Sequence, residues 1–285
     1  MVMACGCGPA LNQSQSRPLS EFGSWQSTPF SQGTLHYASA GQPGKPLVVF
    51  VHGTPGSWTA FRAFLQNPRL LQQVHMVALD RPGFGRSSEL GVLPAFTDQA
   101  AAVAQLFNAN QSAQKAVIVG HSLGGSISYR VALDYPDQVG GVLAISAAID
   151  PNLSHPRWYN YAAGLPVVRW LLPGDLTTSN HEMMPLADQL NAMTSGLAGL
   201  KMPVTVVQGR TDSLVNHMNA DFAEHHLTAA DLKVVRFREL GHFIVWEEHD
   251  AMVDEILELV TKLEPLPTDV VRQEEQNNNT IIVGS

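Results

Sequence analysis

The feature that most constrains the fold of this chain is a β-branched run that ends abruptly in a glycine-flanked serine. Residues 117–126 read Val-Ile-Val-Gly-His-Ser-Leu-Gly-Gly-Ser. The first three are typical of a buried strand, and the small residues after Ser122 are typical of a helix that starts close to a sheet. Gly120 and Gly124 remove side chains that would collide in such a tight turn. The pattern predicts that Ser122 projects at a helix N-terminus, where unpaired backbone N–H groups favour negative charge.

Strands and helices alternate along most of the chain. Strands are predicted at 34–38, 47–51, 76–79, 116–119, 142–149, 204–207 and 233–237. Helices are predicted at 58–65, 96–107, 123–133, 215–224 and 251–263. Several of the strands are continuous apolar runs, which indicate burial on both faces of a parallel sheet. The order predicts the α/β fold class, with a mostly parallel central sheet and helices on both faces.

The alternation stops between 151 and 200, where helix-like pieces are broken by prolines and carry many aromatic and apolar residues. We interpret 151–200 as a helical cap inserted into a core formed by 25–150 and 201–264. The polar stretches 1–24 and 265–285 are expected to be a flexible N-terminal tail and a C-terminal tail.

Charge and cysteine content restrict the partners. The chain has 17 basic and 25 acidic residues, a formal net charge of −8, without a basic cluster. This argues against nucleic acid as a partner, and no apolar run is long enough to be a transmembrane segment. The two cysteines are Cys5 and Cys7, so no cysteine-based metal site is expected in the folded body. A cytoplasmic location is expected. Because residues 2–5 resemble the end of a bacterial lipoprotein signal, a lipid anchor at Cys5 is the alternative if the true start lies upstream.

Two later loops offer the groups that would activate Ser122. A serine hydroxyl is a poor nucleophile at neutral pH and needs a base, which in turn needs a partner that fixes its tautomer. Asp212 follows the strand at 204–207, and His242 follows the strand at 233–237. Ser122, Asp212 and His242 are therefore predicted to meet at one sheet edge as nucleophile, acid and base. Asp150, at the end of another strand, is the alternative acid.

A pocket for an oxyanion is also predicted at this edge. The backbone N–H of Leu123 directly follows the serine, and a second donor is expected from the loop after the strand at 47–51. We assign the N–H of Thr54 to that role. His52 is interpreted as a loop-packing residue, and Arg81 as a residue at the mouth of the site.

The chain resembles enzymes of the α/β-hydrolase fold from about residue 25 to 264. The motifs that carry the resemblance are His52-Gly53-Thr54-Pro55-Gly56, Asp80-Arg81-Pro82-Gly83-Phe84-Gly85, Gly120-His121-Ser122-Leu123-Gly124-Gly125, Gly209-Arg210-Thr211-Asp212 and Gly241-His242-Phe243. The order serine, aspartate, histidine is that of the superfamily. Haloalkane dehalogenases and epoxide hydrolases place an aspartate where Ser122 stands, and prolyl aminopeptidases usually have His-Gly-Gly-Pro-Gly where Thr54 interrupts the loop. These branches are disfavoured.

The resemblance implies a serine esterase, similar to lipases, that needs no metal or organic cofactor. The expected partner is a small-molecule ester with a hydrophobic acyl or aromatic group. Same-fold alternatives are a thioesterase, a carbon–carbon bond hydrolase, a lactonase and an acyltransferase. Alternatives of a different class are a ligand receptor that retains the triad and an inert binding module.

Overall fold

A computed structural model describes residues 17–267, which contain one eight-stranded sheet. The strands are β1 (Gly23–Phe30), β2 (Gly33–Gly41), β3 (Leu47–Val51), β4 (His75–Leu79), β5 (Ala116–His121), β6 (Val139–Ile145), β7 (Val204–Gly209) and β8 (Leu232–Phe237). Their spatial order is β1-β2-β4-β3-β5-β6-β7-β8. β2 is antiparallel to both β1 and β4, and the remaining pairs are parallel. The predicted α/β fold class is confirmed.

Eleven α-helices accompany the sheet in the described range. They are α1 (Arg62–Leu65), α2 (Pro68–Gln73), α3 (Phe96–Ala104), α4 (Leu123–Asp134), α5 (Trp158–Ala163), α6 (Pro166–Leu171), α7 (Gly174–Met183), α8 (Leu186–Leu197), α9 (Asn219–His226), α10 (Ile244–Glu247) and α11 (His249–Thr261). Short 3-10 helices lie at Leu19–Glu21, Trp58–Phe61, Gly85–Leu90, Gln105–Ala109 and Pro151–Leu153. None of the helices within 17–267 has the length and apolar character needed to cross a bilayer.

The central strands supply two apolar cores, one on each face of the sheet. Successive side chains of a strand point to opposite faces. In β3, Val49 and Val51 join a cluster that includes residues of α3, α4 and α8. Val48 and Phe50 join a second cluster with residues of α1 and α11. Because both faces are covered by helices, the continuous apolar runs are fully buried, as the sequence indicates.

The predicted tail boundary at residue 24 is wrong. Residues 23–30 form the edge strand β1, and Leu19 is buried in the second core. An edge strand buries only one face and tolerates Pro29, so this stretch lacks the apolar run that marks the inner strands. Residues 1–16, and with them the predicted lipid anchor at Cys5, lie outside the described residues.

The predicted C-terminal boundary at residue 265 is also wrong, by a few residues. Leu266 is buried, its N–H donates to the carbonyl oxygen of Ala113 at 2.9 Å, and Pro265 bridges to Gln114. A backbone hydrogen bond, a β-bridge and the buried Leu266 side chain therefore hold the chain after α11. Residues 268–285 lie outside the described range.

Every regular element in the connection between β6 and β7 is a helix. Residues 151–200 contain α5 to α8 and the 3-10 helix at Pro151–Leu153. Since this insertion begins at the carboxyl end of β6, it leaves the sheet at the edge where ligands bind in open α/β sheets. Its role as a cap stays a prediction.

Candidate active site

The turn between β5 and α4 holds Ser122 in a strained backbone conformation. Ser122 has φ 56° and ψ −126°, a positive φ that side-chain-bearing residues rarely adopt. Such a conformation costs about 1–3 kcal/mol and persists only where the surroundings enforce it. The N–H of Ser122 donates to the carbonyl oxygen of Ile145 on β6 at 2.9 Å, which fixes the turn to the neighbouring strand.

Two glycines make this turn possible. A Cβ at Gly120 would overlap the carbonyl oxygen of Gly124 and the hydroxyl of Ser128, and a Cβ at Gly124 would overlap the carbonyl oxygen of Val51. The start of α4 therefore lies directly against the end of β3. This contact brings the loop that follows β3 next to Ser122.

His242 and Asp212 form a buried hydrogen-bonded pair at the same edge. The Nδ1 of His242 lies 2.9 Å from Oδ2 of Asp212. The other carboxylate oxygen accepts the N–H groups of Leu214 and Val215 at 2.9 and 2.8 Å. Burial acts to raise the pKa of Asp212, but the bonds from His242 and from these N–H groups outweigh it, so the pKa is lowered. An ionised Asp212 holds His242 with Nδ1 protonated and leaves Nε2 as the basic nitrogen.

The structure does not pair Asp150 with the imidazole. The Asp150 carboxylate accepts the N–H of Asn152 at 2.8 Å and so caps the 3-10 helix that starts at Pro151. Of the two acids considered from the sequence, only Asp212 contacts His242.

His121, which sequence analysis assigned no role, couples the serine turn to the histidine loop. Its Nε2 donates to the carbonyl oxygen of His242 at 2.9 Å, and its ring packs against the rings of His242 and Trp246. Burial, followed by the charge of His242, lowers the pKa of His121 to about 3. His121 is therefore neutral and acts as a fixed donor. Its place directly before Ser122 is the one sequence signal that could have identified it.

The loop after β3, which the sequence predicts to bind an oxyanion, lies against Ser122. A Cβ at Gly53 would lie 2.9 Å from the Cβ of Ser122, so only a glycine fits at this approach. No hydrogen bond of a turn, loop or cap within residues 17–267 occupies the backbone N–H of Thr54 or Leu123, and the first N–H groups of a helix such as α4 have no partner inside it. One of these N–H groups lies in the loop after β3 and the other at the start of α4, the two segments that meet at Ser122. This arrangement is suited to a developing oxyanion.

His52 supports this loop from within. Its Nδ1 donates to the carbonyl oxygen of Gly53 at 2.7 Å, and its Nε2 accepts the N–H of Arg81 at 2.9 Å. Burial, followed by the charge of Arg81, lowers the pKa of His52 well below its usual range. Both ring nitrogens are occupied, which agrees with the interpretation of His52 as a loop-packing residue.

The expectation that Arg81 lines the mouth of the site is wrong. Arg81 is fully buried, and its guanidinium forms a two-pronged ion pair with Glu182 of α7. The same guanidinium donates to the carbonyl oxygens of His52 and Gly53, both at 2.9 Å. Gln99 of α3 adds a further bond to Glu182 at 2.8 Å. A charged network thus ties the insertion to the loop beside Ser122, and no local sequence pattern indicates a pair 101 residues apart.

No cluster of three or more His, Cys, Asp or Glu side chains suited to a metal ion occurs in the described part of the chain.

Comparison with known proteins agrees with this architecture. The family model described as alpha/beta hydrolase fold matches residues 46–170. Epoxide hydrolase 4 of Mus musculus is 31% identical over 127 residues, which cover 43% of this chain and 32% of that protein. The chain thus spans about a third of the length of the curated relatives that it first matches.

Solved structures match over a longer range. Cfl2 from Burkholderia cenocepacia has a TM-score of 0.68 at 21% identity, covering 84% of this chain and 96% of that one. The 2-hydroxy-6-oxo-6-phenylhexa-2,4-dienoate hydrolase from Rhodococcus sp. strain RHA1 has a TM-score of 0.65 at 22% identity, covering 83% and 98%. The chain has the α/β-hydrolase fold, and residues 46–170 match the family model of that fold. The matched family region includes Ser122 but ends before Asp212 and His242, whose assignment therefore depends on geometry.

Proposed function

We propose that this protein is a serine hydrolase that cleaves carboxylic esters with a hydrophobic acyl or aromatic group. The observation that carries the proposal is the buried His242–Asp212 pair, at 2.9 Å, at the sheet edge where Ser122 is held with positive φ. Acyl transfer to a serine requires three groups: a serine hydroxyl, an imidazole base and a carboxylate that orients the imidazole.

In the proposed reaction, Ser122 Oγ attacks the ester carbonyl carbon while Nε2 of His242 takes its proton. The tetrahedral oxyanion accepts hydrogen bonds from the N–H groups of Leu123 and Thr54. The intermediate collapses to an acyl-enzyme as His242 returns the proton to the leaving alcohol. Water then attacks the acyl carbon with His242 again as base, which releases the acid and restores Ser122. Each oxyanion donor is expected to contribute about 10²–10³ in rate.

Apolar side chains beside the catalytic groups support a hydrophobic substrate. Phe243 directly follows His242, and Leu214 lies in the turn that binds Asp212. Both are more than one third exposed. Large apolar groups left open next to polar catalytic groups are typical of sites that bind an apolar group close to the reacting atom.

Epoxide opening is not proposed, although relatives carry that name, because a serine occupies the position where those enzymes are expected to have an aspartate. Thioester, carbon–carbon bond and lactone hydrolysis use the same triad chemistry, and fold likeness does not decide among them. A receptor or an inert binding module would retain the geometry without turnover.

A substrate panel tests the proposal. Purified protein is assayed with p-nitrophenyl esters of increasing acyl length, a matched thioester, a lactone and an epoxide. We expect esters to be turned over fastest, and Ser122→Ala and His242→Ala to lose activity. The control Ser88→Ala, at an exposed serine of the 3-10 helix Gly85–Leu90, is expected to behave as wild type. Faster turnover of another class, or ester turnover that survives Ser122→Ala, would refute the assignment.

A further inference from the structure

The insertion carries an apolar surface that the fold leaves uncovered. Six large apolar side chains in or between α5 and α6 are more than half exposed: Trp158, Tyr161, Leu165, Val167, Trp170 and Leu171. We call this set the aromatic patch. Trp158 and Trp170 are 80% and 84% exposed. Six such side chains within 14 residues of sequence are more than the ordinary scatter of surface apolar residues, and a concentration of this kind indicates an interaction surface.

Helix α5 is attached through polar contacts, and the large apolar side chains of α5 and α6 point outward. Among the described residues, neither α5 nor α6 contributes to the two apolar cores. Instead, the buried Asn160 of α5 exchanges amide hydrogen bonds with Asn180 of α7, at 3.0 and 3.1 Å. Helix α5 is therefore anchored through Asn160, and nothing in the described chain covers the aromatic patch.

The segment that carries the patch has a charge opposite to that of the protein as a whole. Residues 157–172 contain two arginines and no acidic residue, in a chain of net charge −8. Arg157 is tied to the carbonyl oxygens of Ser213 and Leu214, next to the Asp212 turn. Arg169 lies beside Trp170 on a shallow cleft of about 350 Å³ that also contacts Pro166 and Thr177. A cation next to an indole, above an open cleft, is suited to an anionic headgroup phosphate.

We propose that the aromatic patch docks the protein on a lipid bilayer with anionic headgroups. Exposed tryptophan and tyrosine with flanking arginine is the composition that settles at the boundary between headgroups and acyl chains. A two-fold dimer through the same patch would bring four arginines together without an acid to pair them, which disfavours a second copy as the occupant. The proposal does not depend on the esterase activity, since it concerns a surface outside the catalytic groups.

Vesicle flotation tests the proposal directly. The full chain is mixed with phosphatidylcholine vesicles, with or without phosphatidylglycerol, and the floated fraction is measured. Binding is expected to be stronger to the anionic vesicles and to weaken with salt. The double variant Trp158→Ser with Trp170→Ser is expected to reduce partitioning into vesicles at least about tenfold, because it removes the apolar area that the two indoles bury in the bilayer.

Two variants that each remove one cation distinguish an effect of the patch from an effect of the overall charge of the protein. Arg169→Gln is expected to weaken binding to anionic vesicles by about fivefold. Lys201→Gln removes one exposed cation just before β7, at the opposite sheet edge, and is expected to leave binding unchanged. Thermal unfolding of each variant verifies that the fold is intact.

Three results would overturn the proposal. They are no flotation of the wild type with either vesicle, unchanged flotation of the double tryptophan variant, and self-association through the patch in place of vesicle binding. A lipid anchor at Cys5 would give the second result, since it would not respond to the tryptophan substitutions. Ser122→Ala is expected to lose ester turnover and to retain vesicle binding. This variant therefore tests the proposed ester hydrolysis separately from the proposed bilayer docking.

Discussion

Replacing Glu182 by glutamine tests whether the buried ion pair with Arg81 stabilises the fold. The two side chains are 0% and 2% exposed, so neither charge is solvated by water. Glutamine has nearly the same shape and keeps one oxygen acceptor, but it removes the only carboxylate paired with Arg81 in the described residues. Arg81 would retain the carbonyl oxygens of His52 and Gly53 as acceptors, with its charge uncompensated.

The expected cost follows from burial. Removing one partner of a buried pair typically costs about 3–5 kcal/mol, because the remaining charge stays in a low-dielectric interior. For a chain of this size that corresponds to a melting temperature about 6–10 °C lower. The control Asp134→Asn breaks the i,i+4 pair with Arg130, whose side chains are 26% and 24% exposed. That change is expected to cost only about 0.3–0.5 kcal/mol.

Urea unfolding and calorimetry of wild type, Glu182→Gln and Asp134→Asn give the comparison. A double variant, Glu182→Gln with Arg81→Met, removes both charges and is expected to be less destabilised than the sum of its single substitutions, because no unpaired charge remains. If the free energies of unfolding of Glu182→Gln and Asp134→Asn differ by less than about 1 kcal/mol, the uncompensated charge of Arg81 does not carry the expected cost.

Other predictions concern the acid, the turn and the buried imidazole. Asp212→Asn is expected to lower kcat for ester hydrolysis by about 10⁴, whereas Asp150→Asn is expected to leave kcat nearly unchanged; equal losses in the two kinetic assays would contradict the pairing. Gly124→Ala is expected to cost about 1–3 kcal/mol or more in urea unfolding, because its Cβ meets a carbonyl oxygen of β3. Gly174→Ala, with open space at its Cβ, is the near-neutral control. Burial holds the pKa of His121 at about 3 against 6.5 in the unfolded chain, so between these values only the unfolded chain binds the proton and stability falls as pH falls. From pH 7 to pH 5 this loss of unfolding free energy amounts to about 2 kcal/mol. His121→Gln is expected to lack this loss, so urea unfolding at the two pH values should show a smaller difference for the variant than for wild type.

The inner sheet was predictable because its signals are local. The strands around β3 and β5 are apolar on both faces, and a run of five or six such residues needs no knowledge of distant partners. The glycine pattern around Ser122 is equally local, since each glycine is required by a contact within the turn or with the adjacent strand. The order of Ser122, Asp212 and His242 after three strands predicts that they approach one another, and the structure pairs Asp212 with His242 at 2.9 Å.

The edge of the sheet and the buried charges were not predictable, because they depend on contacts remote in sequence. β1 is half-buried and contains Pro29, so its pattern does not differ from that of a polar tail. The sequence places Arg81 at the mouth of the site, yet Glu182, 101 residues away, neutralises it in the interior, where an arginine is rare unless it is paired. His121 received no role because its partner is a backbone carbonyl, which no side-chain pattern reveals.

The central claim is that Ser122 is the nucleophile, and active-site labelling tests it most directly. Protein treated with a fluorophosphonate is digested and its peptides are analysed by mass spectrometry. In the proposed site Ser122 Oγ displaces fluoride from phosphorus as His242 takes the proton, so one adduct is expected, on the peptide that contains Ser122. That adduct is expected to be absent in Ser122→Ala and present in Ser88→Ala. An adduct on another residue, or labelling undiminished in Ser122→Ala, would contradict the account.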